Sequence, residues 1–142
     1  MSSSNIDETD EKIIRTLQAD SRKPFVEIAN EIGLSESAVR RRVKNLVESG
    51  TIKRFTIELG VSDKTSAITL ISVASTADTS AVSGRLMKLP GVEVVYEITG
   101  QYDIAAIIAA PAIAHINKCI DDIRKIDGVS DTNTVIILKT MR

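Results

Sequence analysis

Apolar residues recur at helical spacing through the first fifty positions of the chain, then alternate, then fall into strand-like and helix-like blocks. Asp7 suits a helix N-cap and Asp10 falls in the first turn, where the helix dipole favours acid. Ile13, Ile14 and Leu17 then share one face. Pro24 suits the start of a second helix, whose stripe is Phe25, Ile28, Ala29 and Ile32 and whose stop is Gly33. Ser35 caps a third, in which Val39, Val43, Leu46 and Val47 line one side before Gly50 ends it. Three short amphipathic helices with a glycine turn before the last predict a tri-helical or winged helix-turn-helix domain over residues 1–52.

After Gly50 the period becomes two. In "TIKRFTIEL", Ile52, Arg54, Thr56 and Glu58 oppose Lys53, Phe55, Ile57 and Leu59, which predicts a strand. Residues 53–65 are therefore read as strand and linker, with the polar "GVSDKTS" as the boundary.

Residues 66–142 read as strand, helix, strand, strand, helix, strand. The strands are expected over residues 67–74, 92–99, 102–109 and 132–139, the middle two joined tightly across Gly100-Gln101. Helices are expected over residues 79–89, on Val82, Leu86 and Leu89, and 112–126, on Ile113, Ile116, Ile120 and Ile123. The order is that of an α+β, ferredoxin-like domain, with both helices on one face of a four-stranded antiparallel sheet. Yet "IAAIIAA" and "TVIIL" are apolar at successive positions, so both faces of the sheet call for burial. A second copy of the same sheet is the simplest cover, which predicts a homodimer and a larger assembly built from it.

Composition narrows the function classes. The chain has 142 residues, 43% apolar and 26% charged, which fits a folded soluble protein of one ordinary or two small domains. The polar, acidic start carries no signal-peptide core, and the apolar run from Ile104 is too short to span a bilayer, so a cytoplasmic location is expected. One cysteine and one histidine leave no disulfide framework and no His/Cys metal site. Cys119 lies beside Ile116 and Ile120, as a buried thiol would, and His115 has no carboxylate at catalytic spacing. With no nucleophile–base pair and no phosphate-binding glycine loop, neither an enzyme nor a cofactor is expected.

The net charge of −1 conceals a sorting along the chain. Residues 1–36 hold four Lys/Arg against eight Asp/Glu, whereas residues 37–55 hold six against Glu48 alone. Local field governs attraction to a polyanion, so the overall acidity does not argue against nucleic acid. At about 100° per residue, Ser37, Arg41 and Lys44 point away from the Val39, Val43 and Leu46 seam, with Arg40 and Arg42 on its two flanks. Such a face suits a recognition helix in the major groove of double-stranded DNA. Ser35 marks its N-terminus, Ser37, Arg40 and Arg41 are candidates for base edges, and Arg42, Lys44, Lys53 and Arg54 for phosphates. The plainer alternative is a solvated charged face paired internally to Glu36 and Glu48.

The stretch from "DETDEKIIRTLQADSRKPF" through "EIGLS" to "RRVKNLVESGTIKRF" resembles the N-terminal domain of the Lrp/AsnC, or feast/famine, transcription regulators, archaeal members among them. "PGVEVVYEITGQYD" and "GVSDTNTVIILK" resemble that family's amino-acid-sensing module, so the likeness is collinear over nearly the whole chain. It implies dimers assembling into tetramers or octamers, and amino-acid effectors bound between dimers near Gly100, Gln101, Tyr102 and Asp103. The family commonly carries an acid where this chain has Gln101. The residues are compatible with the implied role: a turn glycine exposes N–H groups to a carboxylate, and Asp103 can hold an ammonium, though an ordinary hairpin needs the same residues. Thr132 and Thr134, assigned mainly on the resemblance, would line a small polar pocket, with Asp121 and Asp122 as contacts to a ligand side chain. Tyr102 is either a ligand contact or a dimer-contact aromatic. The expected function is a sequence-specific transcription regulator whose assembly and DNA binding respond to an amino acid. An architectural, chromatin-like DNA-binding protein without an effector is the alternative.

Overall fold

A computed structural model of the chain describes residues 6–60 and 63–141. It divides into two compact units, Met1–Leu59 and Gly60–Arg142.

The first unit is α1 (Glu8–Ala19), α2 (Phe25–Ile32) and α3 (Glu36–Glu48). Asp7 and Asp10 form a reciprocal capping box at the start of α1: the Asp10 N–H donates to Asp7 Oδ1 at 2.8 Å and the Asp7 N–H to Asp10 Oδ2 at 3.3 Å. At the end of α2, Gly33 takes the left-handed conformation at φ +73°, which lets the Leu34 N–H turn back to the Ala29 carbonyl at 2.9 Å. The chain thereby enters α3, whose cap Ser35 accepts from the Ala38 N–H at 3.2 Å. Ile13, Leu17, Ile28, Ala29, Val39, Val43 and Leu46 form the buried core, with Phe25 and Ile52 packed at its margin. Val47, expected on the buried stripe, is exposed at the edge of it.

The strand expected over residues 51–59 does not form, and the unit has no wing among the described residues. Ile52 is held by a bond from its N–H to the Leu46 carbonyl and by the helical core. Beyond it the chain is irregular, and Phe55, Ile57 and Leu59 are exposed. Alternation supplies two faces but a strand also needs a ladder partner, and no described strand pairs with this segment.

The second unit is β1 (Thr65–Val73), α4 (Thr79–Leu86), β2 (Val92–Glu97), β3 (Ile104–Ala110), α5 (Ile113–Arg124) and β4 (Val129–Ile137). The sheet has the order β2-β3-β1-β4 with every pair antiparallel, the ferredoxin-like arrangement. Ala67, Ile71, Ile104, Ala106 and Ile108 face the helices and meet Val82, Leu86, Ile116, Ile120 and Ile123. Thr69 is buried in the same layer, where its hydroxyl lies 2.9 Å from that of Thr134. Ile113, expected on the apolar side of α5, is exposed at its first turn. The turn after β2 is longer than a two-residue hairpin: residues 98–103 connect the strands, narrowed by a bond from the Ile98 N–H to the Asp103 carbonyl.

On the other side of the sheet the register sets Ile68 between Ile107 and Val135, with Val94 across from Ile107 and Tyr96 across from Ala105. No described element of the unit covers this face, and Tyr96 and Val135 are half-exposed.

Candidate nucleic-acid interface and effector end

The recognition-type helix α3 is oriented by its own core residues. Val39, Val43 and Leu46 anchor it on α1 and α2, so Ser37, Arg41 and Lys44 lie on the outward arc. Arg41 is exposed, and its guanidinium makes no ion pair among the described residues. Arg40 is exposed but held: Nη2 lies 2.7 Å from Glu36 Oε1, and Cζ stands 5.3 Å from the centre of the Phe25 ring. Lys44 approaches Glu48 at 3.8 Å, a loose surface pair that leaves its ammonium largely in solvent. The Ser35 and Ser37 hydroxyls are 3.2 Å apart at the helix N-terminus. Lys53 and Arg54 are exposed just after the helical core ends.

Arg42 departs from expectation. The helical wheel makes it a candidate phosphate contact, but Nη1 donates to Asp7 Oδ2 and to Asp10 Oδ1, both at 2.8 Å. Its place on the flank of α3 turns it toward the capping box of α1, where two carboxylates outcompete solvent for the guanidinium. The Asp7 carboxyl is held below its ordinary range, first by the Asp10 N–H and then by Arg42. Arg42 is in turn held more firmly protonated, first by Asp10 and then by Asp7. The guanidinium is thus a tie between helices.

In the second unit, the residues expected around an effector gather at one end of the sheet but not in one pocket. Gly100 has φ +118°, a conformation favouring glycine, with open space where a Cβ would stand. Gln101 is exposed beside it. Asp103 is bound into the fold: its Oδ2 accepts from the Val73 N–H at 2.7 Å, and its own N–H donates to the Ile71 carbonyl at 3.0 Å. Thr132 accepts from Arg124 Nε at 3.1 Å, and Thr134 is engaged by Thr69. The register aligns Thr132 with Ile71 and Thr134 with Thr69, so both lie on the helix-facing side. Asn133, between them, lies on the other side and donates to Tyr102 Oη at 3.3 Å. The threonines and Tyr102 therefore do not share a face. Asp121 lies 3.8 Å from Arg124 and Asp122 3.6 Å from Lys125, on the last turns of α5.

Three participants are not marked by local sequence pattern: Arg124, Asn133 and Phe25 in its role beside Arg40. Only Asn133 left a trace, as the one amide in the strand, set between Thr132 and Thr134. Cys119 is buried, and burial first, then Asp122, pushes its thiol up in pKa, which disfavours the reactive thiolate. Among the described residues no cluster of His, Cys, Asp and Glu is placed to hold a metal ion, and no helix is long and apolar enough to cross a membrane.

Comparison with known proteins joins the two units. Residues 6–47 match the AsnC-type helix-turn-helix domain, and residues 66–142 match the Lrp/AsnC ligand binding domain. The chain is 45% identical over 140 residues to the HTH-type transcriptional regulator LysM of Saccharolobus solfataricus, covering 99% of each. It is similar to the solved structure of E. coli AsnC at a TM-score of 0.80 and 27% identity, with 96% of each chain covered. It is also similar to the feast or famine regulatory protein from M. tuberculosis complexed with L-methionine, at a TM-score of 0.86 and 26% identity, covering 96% of this chain and 95% of that one. A DNA-reading tri-helical unit followed by a ligand-binding ferredoxin-like one, matched over nearly its full length, means that the chain belongs to the Lrp/AsnC family of transcriptional regulators.

Proposed function

We propose that this regulator reads double-stranded DNA through α3 and that an amino acid, bound at the Gly100–Asp103 end of the second unit, alters its assembly and so its occupancy of DNA. The observation that carries the DNA half is the outward arc of α3, with Arg41 unpaired among the described residues and opposite the buried Val39, Val43 and Leu46. Arg40, Arg41 and Ser37 meet base edges, and Lys44, Lys53 and Arg54 meet phosphates. Ser35 presents the helix N-terminus to a phosphate. Arg42 is left out of the contact set because Asp7 and Asp10 hold it.

The amino-acid half is supported by the ligand binding domain match and by the L-methionine complex of the mycobacterial relative. Gly100 offers backbone N–H groups to a carboxylate, while Gln101 gives this chain a neutral contact where an acid is common. The uncovered apolar side of the sheet supports a homodimer, with tetramers or octamers above it. The protein works in the cytoplasm, has no catalytic activity and needs no cofactor beyond its effector.

Selection of duplexes from a random DNA library, followed by a thermal-shift screen of the twenty amino acids, tests both halves. A defined consensus and a rise in melting temperature with one or a few amino acids are expected. Failure to enrich any sequence overturns the first half, and no shift with any amino acid overturns the second.

A further inference from the structure

Arg40 and Arg41 are neighbours with unequal freedom. Arg41 extends into solvent, whereas Arg40 is gripped from two helices. Glu36, one turn earlier on α3, takes a single proton of Nη2, and the Phe25 ring at the first position of α2 lies beneath the guanidinium. A guanidinium has five donors in a fixed plane, so one bond to Glu36 leaves enough for a bidentate contact. Reading guanine demands that the plane of the fork match the plane of the base pair. A free arginine pays for that match by losing rotamers on binding, and one already held loses fewer.

From this geometry we infer that Glu36 and Phe25 are positioning residues, which hold Arg40 in the orientation that reads one base pair. The inference rests on the DNA-binding reading of α3. Glu36 has a second effect. Its half-exposed carboxylate stands in the first turn of α3, within reach of an approaching polyanion's field, so it disfavours every duplex that does not compensate through Arg40. An i,i+4 pair on a solvated helix contributes little to stability, and this one lies on the flank of α3 that carries Arg40, where the half-exposed carboxylate can orient that guanidinium.

The test uses the full chain and the duplex consensus it selects, in competition with duplexes that differ from it by single base pairs. Arg40→Ala first identifies the base pair whose discrimination depends on Arg40. Glu36→Gln is expected to lower discrimination at that base pair about tenfold and to raise affinity for random DNA, by the loss of one oriented bidentate contact and one repulsive charge. Phe25→Leu lowers the same discrimination about threefold, and Phe25→Tyr, which keeps the ring over the cation, restores it. In the Arg40→Ala background, Glu36→Gln has no further effect at that base pair. Discrimination unmoved by Glu36→Gln, or lowered equally at every position, overturns the positioning role while leaving the DNA-binding reading intact. Failure to select any consensus overturns both.

Discussion

Arg42 of α3 donates to Asp10 of α1 at 2.8 Å, although the preceding residue, Arg41, faces solvent without an ion pair among the described residues. Two adjacent arginines therefore belong to different tasks. Arg42→Ala is expected to lower the melting temperature of the first unit by roughly 5 °C, with little change in base discrimination below that temperature. Arg41→Ala should do the reverse, leaving the melting temperature in place and relaxing discrimination about tenfold at one base pair. Lys44→Ala should weaken all sequences alike and reduce the salt slope by about one. Competition binding over a salt series, with thermal melts of the same variants, checks all three.

The same tie has a pH signature. The folded form of Asp7 favours its charged state, so the stability that this contributes is complete above the ordinary carboxylate value of 3.8 and is lost as pH falls through the lower folded value. Asp7→Asn keeps an N-cap oxygen for the Asp10 N–H but puts an amide where Oδ2 accepts from Arg42, so it removes the charge and the bond to Arg42 together. The melting difference between parent and Asp7→Asn should be constant from about pH 5 to pH 8 and close below about pH 4. A difference that widens on acidification would contradict the assignment.

Asp103 is expected to matter before any ligand binds. Its carboxylate satisfies the Val73 N–H at the end of β1, so Asp103→Ala leaves that donor unmet and costs about 1–3 kcal/mol in ligand-free protein. Asp103→Asn retains an acceptor and costs less. Chemical denaturation without amino acids measures both, and an unaltered Asp103→Ala midpoint would show that the carboxylate serves only a ligand.

The helices and their buried faces were legible because each is written locally: Asp7, Ser35 and Gly33 act within a few residues, and Ile13, Ile28, Val39 and Ile116 declare a face by spacing alone. The second unit's order was legible for the same reason. Residues 51–59 misled because alternation describes side chains and says nothing about where a ladder partner lies. Arg42 misled because its partners stand more than thirty residues earlier in the chain. Thr132 and Thr134 were correctly seen to share a face, but only the register with β1 shows that the face is the helix side, with Tyr102 reached from Asn133 on the other.

The hydroxyl pair between Thr69 and Thr134 acquires a meaning from where β4 lies. β4 is at the margin of the sheet, where a strand is held from one side only and slippage is easiest. Moving it by one residue would turn its aliphatic side chains inside out. Moving it by two keeps the faces, but in one direction it sets Ile136 against Thr69 and strands a buried hydroxyl. In the other it sets Thr132 there, drawing that residue away from Arg124. Thr69 is a polar residue buried completely within the core layer. It acts as a detent that stops β4 at one position, and with β4 it fixes Asn133 under Tyr102 and Thr132 beside Arg124.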